Sequence, residues 1–88
     1  MLFCVQWRIM PETRDAAQAR FQETGGPPPD GVKMLGRWHF AAGLEGLAIC
    51  EAESAVALGK WTQQWSDVLK FRISPVNDDQ GVITVLGG

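Results

Sequence analysis

The chain has no tyrosine, one histidine and only two cysteines. Cys4 and Cys50 lie 46 positions apart, and with a single histidine this leaves no metal-ligand spacing. A structural zinc site is therefore not expected. Both cysteines sit in apolar, strand-like runs and read as small buried hydrophobes. A disulfide would need an oxidising compartment, for which the chain carries no sign. There is no block of like charge and no apolar run of bilayer length. The net charge is −2 and the isoelectric point 5.2. With no basic cluster, nucleic acid is a poor candidate partner. The opening "MLFCVQWRIM" is apolar but lacks a basic leading segment, and Gln6 and Arg8 interrupt it. It does not read as a signal peptide, so a cytoplasmic location is expected. No phosphate loop and no Ser-His-Asp order appear, and no cofactor is predicted.

Eighty-eight residues make one domain. At this mass, area scaling leaves about 5,100 Å² exposed out of about 14,000 Å² in the unfolded chain. That suffices for a small core, and such a chain gains from burying a further face against a partner. Four Trp and four Phe supply bulky, water-avoiding rings.

Alternation in "LFCVQWRI", Leu2 to Ile9, predicts a strand. Phe3, Val5, Trp7 and Ile9 form one face, and Leu2, Cys4, Gln6 and Arg8 form a mixed second face. Pro11 ends it and opens a helix over Glu12 to about Glu23, with Ala17 and Phe21 at helical spacing and Gly25 just past its end. "GGPPPDG" is a stiff connector. Val32 to Ala41 predicts a second strand. Strict alternation there puts Met34, Gly36, Trp38 and Phe40 on one face and Lys33, Leu35, Arg37 and His39 on the other. Leu47 to Glu51, apolar on both faces, predicts a central third strand. Ser54 is an N-cap for a second helix to about Val68, whose Leu58, Trp61, Trp65 and Val68 share a face. Phe71 to Val76 predicts a fourth strand, placed at an edge by Pro75. The tail 81–88 carries a further strand candidate, Val82 to Leu86.

The order βαββαβ favours an α+β, ferredoxin-like antiparallel sheet over residues 1–80, with strand order 4-1-3-2 and two helices on one face. The other face is too apolar to stay wet. A second copy packed by a two-fold axis is the simplest cover, so a homodimer is expected. The tail strand then either pairs with the partner or folds back on its own subunit.

"FCVQWRIMPETRDAAQARF", "GGPPPDGVKMLGRWH", "CEAES" and "WTQQWSDVLKFRISPV" resemble a bacterial family of small domains of unknown function in the dimeric α/β-barrel superfamily. The resemblance covers Leu2 to about Asp79 and implies that fold and a dimer. It supplies no catalytic residue. The wider superfamily includes cofactor-independent monooxygenases, haem-dependent enzymes, lactone isomerases and ligand-sensing domains, commonly with a small-molecule pocket between sheet and helices or inside the barrel. Fold alone does not choose among them. The oxygenases of this type use an Asn on an early strand with a Trp and a His. Here the first strand offers Gln6, and the sole Asn is Asn77.

His39 in "LGRWHF" is the candidate general base, since an imidazole titrates near neutrality, and Arg37 is the candidate anion or oxyanion partner. Against this stands a half-exposed strand histidine beside a paired arginine. Trp38 is expected to pack under the second helix with Trp61 or Trp65, which leaves Arg37 and His39 on the dimer side. Trp38 and Trp65 are also candidate pocket walls. Glu51 at the end of a central strand is a candidate base, or an ion-pair partner for Arg8 or Arg37. Gln6 and Arg8 are candidates for a polar cavity on the dimer-facing side, or for interface hydrogen bonds. Asp67 in "WSD" is expected to tie the helix end to its loop. The leading expectation is a small organic ligand bound near His39, Arg37, Trp38 and Trp65. The alternatives are a cofactor-independent monooxygenase or isomerase and a dimerisation module without ligand. A cavity of a few hundred cubic ångströms faced by His39 separates the first two from the third.

Overall fold

Alternation in the first eight apolar-rich positions yields strand β1 (Leu2–Ile9) in the computed structural model, which describes residues 1–87. Pro11 starts a short 3₁₀ turn, Pro11–Thr13, that leads into helix α1 (Arg14–Thr24). Gly25 ends α1 at φ 74°, donating its N–H to the Phe21 carbonyl at 2.7 Å. A residue with a Cβ would be strained there. Strands β2 (Val32–His39) and β3 (Glu45–Ala52) follow. Helix α2 (Ala55–Gln63) is capped by Ser54, whose hydroxyl accepts the Val56 N–H at 3.1 Å. Strand β4 (Leu69–Val76) completes the sheet.

The sheet order is β2-β3-β1-β4 and every neighbouring pair is antiparallel. This is the expected ferredoxin-like α+β arrangement, with β1 and β3 central and Pro75 on an edge strand. Helix α2 is shorter than expected. Residues 64–68 form tight turns, in which Val68 and Leu69 both donate to the Trp65 carbonyl, at 3.0 and 2.9 Å. Trp65 is nevertheless buried.

The helix-facing side of β3 is made of small residues only: Gly46, Ala48, Cys50 and Ala52, all buried. Space above this floor is filled from neighbouring elements. Val5 of β1 and Leu58 of α2 are 2% and 1% exposed, and Trp61, Trp65 and Val68 close over them. Fully burying side chains of this size stabilises by about 1.5–3 kcal/mol each. Two side-chain ties fix α1 against the start of β4. The Thr13 hydroxyl donates to the Val68 carbonyl at 2.8 Å. Arg20 grips Asp67 through both carboxylate oxygens at 2.9 and 2.7 Å and donates to the Gln64 carbonyl at 2.8 Å.

Strand β2 departs from strict alternation. Its register passes from Met34 opposite Cys50 to Gly36 opposite Ile49, which leaves Leu35 without a partner on β3. An extra residue in one strand reverses the face of everything after it. Val32 and Met34 therefore face the helices before the bulge, and Arg37 and His39 face them after it. Trp38 turns to the open face, where it is 58% exposed. The expectation that Trp38 packs under α2 and that Arg37 and His39 face the dimer side is thus overturned.

The tail candidate strand, Val82 to Leu86, is also corrected. Residues Asp79–Val85 form helix α3, begun by Asp78, whose carboxylate accepts the Gly81 N–H at 2.8 Å. The β-branched run favours a strand, but capping at Asp78 favours the helix. Helix α3 stands clear of the body: its Val82, Ile83, Val85 and Leu86 are 45–79% exposed and the molecule is 48 Å long but only 16 Å thick. The accessible surface is 6059 Å², well above the about 5,100 Å² expected for a closed monomer of this mass. No helix among the described residues is long and apolar enough to cross a membrane.

Close approach explains Gly46. A Cβ there would run into the Trp7 indole and lie 2.7 Å from the Trp38 carbonyl oxygen. The ring can shift, but the backbone oxygen is held in the β2–β3 ladder. Gly46→Val is expected to cost about 1–3 kcal/mol by overpacking, measured as a lower midpoint in urea unfolding; an unchanged midpoint would refute the close packing described.

Candidate functional site

The small floor of β3 and the rings around it leave a cavity of about 360 Å³ between the sheet and the two helices. Val5, Trp7 and Ile9 of β1 and Ala48 of β3 form its base. Ala17 and Phe21 of α1 form one wall, Trp61 and Trp65 another, and Leu69 and Phe71 of β4 a third. The strands reach the cavity with every second residue and α1 at i, i+4, while Trp61 comes from the last turn of α2 and Trp65 from the turns after it. The polar lining groups are few: Arg37 and His39 from β2 after the bulge, and Gln18 and Gln22 from the exposed side of α1.

The His39 ring is held edge-on by two aromatics. Its centroid lies 5.4 Å from that of Trp7 and 5.2 Å from that of Phe21, with interplanar angles of 66° and 65°. Such edge-to-face contacts fix the plane of the imidazole without consuming its nitrogens. His39 itself is exposed, so it stands at the cavity mouth with one side toward water.

Arg37 has a different task. Its guanidinium donates to the Gly26 carbonyl at 2.7 Å and to the Gly25 carbonyl at 2.9 Å, and lies 5.0 Å over the Phe21 ring. A fixed positive charge at the C-terminal end of α1 meets the negative end of the helix dipole there. Burial lowers the Arg37 pKa, and proximity to Cys50 acts the other way. Two carbonyls and a ring thus already hold the group expected to serve as oxyanion partner. Its geometry is that of a brace between β2 and the end of α1.

The remaining candidates separate. Trp65 lines the cavity, with the Arg20 guanidinium 5.3 Å over its ring, and Trp38 does not line it. Gln6, Arg8 and Glu51 project from the opposite side of the sheet to the cavity. Glu51 sits opposite Leu2 and Lys33, and Arg8 opposite Glu45 and Lys70, so the alternative of an ion pair between Glu51 and Arg8 or Arg37 does not form. Asn77 follows β4 at the root of α3. The oxygenase-like trio of strand amide, Trp and His is therefore not gathered at one place. Asp67 ties the loop to Arg20 of α1 instead of to the end of α2 as expected. Its hydrogen bond from Arg20 holds the carboxylate below its usual pKa.

Trp7, Phe21, Gln18 and Gln22 were not singled out as site residues by sequence reasoning. Trp7 and Phe21 carry the periodicity of core residues, and nothing local marks a core ring as a cavity wall. The signal that could have found the face of Arg37 and His39 is Gly36, since a glycine inside a strand pattern marks a bulge.

Among solved structures, the chain is similar to Rv0793 from Mycobacterium tuberculosis, at 16% identity over 89% of this chain and 96% of that one, with a TM-score of 0.49. It is also similar to an uncharacterized NIPSNAP domain protein from Burkholderia xenovorans, at 12% identity over 90% and 97% of the two chains, with a TM-score of 0.47. No curated protein matches it. A family model matches residues 1–88, and the chain accordingly belongs to the family described as a domain of unknown function, DUF3303.

Proposed function

We propose that this domain binds a small, largely apolar aromatic molecule in the cavity between its sheet and helices. The observation that carries this reading is the cavity itself. Its volume of about 360 Å³ falls within the roughly 300–1,000 Å³ typical of small-molecule sites. Rings line it, and His39 faces it from the mouth. A flat ligand would stack among Trp7, Phe21, Trp61 and Trp65, with a hydroxyl or carboxylate reaching His39, Gln18 or Gln22. Arg37 acts as a positioning residue through α1. The engagement of Arg37 and the position of Gln6 favour binding over the monooxygenase or isomerase alternative.

A homodimer through the open sheet face belongs to the same proposal. That face exposes Trp38 and carries Leu2, Cys4, Leu47 and Ile49, all half-buried in the isolated chain. Both cysteines are free thiols, and their retention suits the cytoplasm.

Calorimetric titration with one- and two-ring aromatics bearing a single hydroxyl or carboxylate is expected to give saturable one-site binding. His39→Phe should weaken it by about tenfold, the worth of one hydrogen bond. Ala48→Leu, which fills the floor, should abolish it. No saturable binding of any of these compounds by the wild-type protein at millimolar concentration would overturn the reading. Arg37→Met is expected to destabilise the fold by about 1.5–3 kcal/mol through lost charge-assisted bonds. Arg37→Lys should recover little of that, because one ammonium cannot brace two carbonyls and stack on Phe21. Full recovery by lysine in urea unfolding would refute the brace. Leu47→Asp is expected to convert a dimer to monomer in sedimentation velocity; a wild-type protein monomeric at tens of micromolar would exclude the pairing.

A further inference from the structure

We infer that helix α3 is a clasp whose binding partner is a second copy of this chain. The inference rests on the open-face pairing proposed above. The first argument is the instability of α3 by itself. It has seven residues, of which Val82, Ile83, Thr84 and Val85 are β-branched and Gly81 is a weak helix former. Helices of this length are marginal in water even with favourable sequences. Tertiary packing normally supplies the missing stability, yet none of its residues is buried in its own chain.

The second argument is the surface that α3 presents. Val82, Val85 and Leu86 recur at i, i+3 and i+4, and are 45%, 72% and 79% exposed. This is the apolar stripe of a helix that docks on something. The third argument is charge. The only charges at α3 are acidic, Asp78 and Asp79, at its start. The open sheet face is basic at the end where β1 stops and β4 begins: Arg8, in register with Lys70, and Arg72, in register with Gln6, stand against one carboxylate, Glu45 opposite Arg8. Within one chain, α3 leaves from the far end of β4 and stands away from this basic corner. A two-fold axis perpendicular to the strands sets the end of one β4 over the start of the other. The acidic root of each α3 then meets Lys70 and Arg72 of the other copy. A pairing about an axis parallel to the strands would not bring these groups together. The surface in excess of a closed monomer is what such a reciprocal exchange would cover.

The test is sedimentation of the full chain across a dilution series. Val82→Ser/Leu86→Ser should raise the dimer dissociation constant at least tenfold, with the circular dichroism of the sheet unchanged. Asp79→Lys should raise it severalfold, and adding Lys70→Glu should restore it toward the wild-type value. An unchanged dissociation constant in the serine variant, with Leu47→Asp still breaking the dimer, would overturn the clasp and leave the open-face pairing intact. Failure of Lys70→Glu to rescue Asp79→Lys would overturn the assigned orientation. A wild-type monomer throughout the series would remove the pairing and the clasp together.

Discussion

One unpaired residue, Leu35, decides which side chains of β2 see the interior. Up to Met34 the strand presents its even-numbered residues to the helices, and beyond Leu35 it presents the odd ones. Without that bulge, Trp38 would point into a space already bounded by Trp61 and Trp65. Arg37 and His39 would lie on the opposite side of the sheet. With it, a guanidinium reaches the end of α1 and an imidazole stands at the mouth of an aromatic chamber. The chemical character of the cavity depends on this register shift more than on any single residue lining it.

The bulge also links two regions remote in sequence. Arg37 braces the Gly25–Gly26 turn, and Phe21, one turn before it, touches both the Arg37 guanidinium and the His39 ring. The orientation of His39 therefore depends on where α1 ends. The proline-rich connector sets the path from that end to β2. Its stiffness serves the placement of the turn as much as the chain reversal.

Much of this was legible in the residues. Period-2 and period-3.6 patterns located four strands and two helices, and the connection rules ordered the sheet correctly. Ser54 and Gly25 act as the helix-end signals they resemble. What failed did so for physical reasons. Alternation on β2 assumes an unbroken ladder, and the ladder is broken where Leu35 has no partner. In the tail, local β-propensity points to a strand, but the Asp78 carboxylate caps the segment as a helix. The cavity was not legible either. It arises from the coincidence of Ala48 and Ala17 at one place in space, and each of them alone is an ordinary small core residue.

The floor of small residues on β3 has a consequence for how this site could be altered. Its walls are large rings supplied by β1, α1, α2 and β4, and those rings also hold the core together. Of the floor, Ala48 alone lines the chamber, while Cys50 and Ala52 are packed in the core and the Trp7 ring fills the space at Gly46. Side-chain volume added at Ala48 subtracts from the chamber directly, while the aromatic walls and the His39 mouth stay in place. Capacity is thus set at one position of the floor: single methyl groups at Ala48 change the size of the accepted molecule, whereas volume added at Gly46 strains the fold.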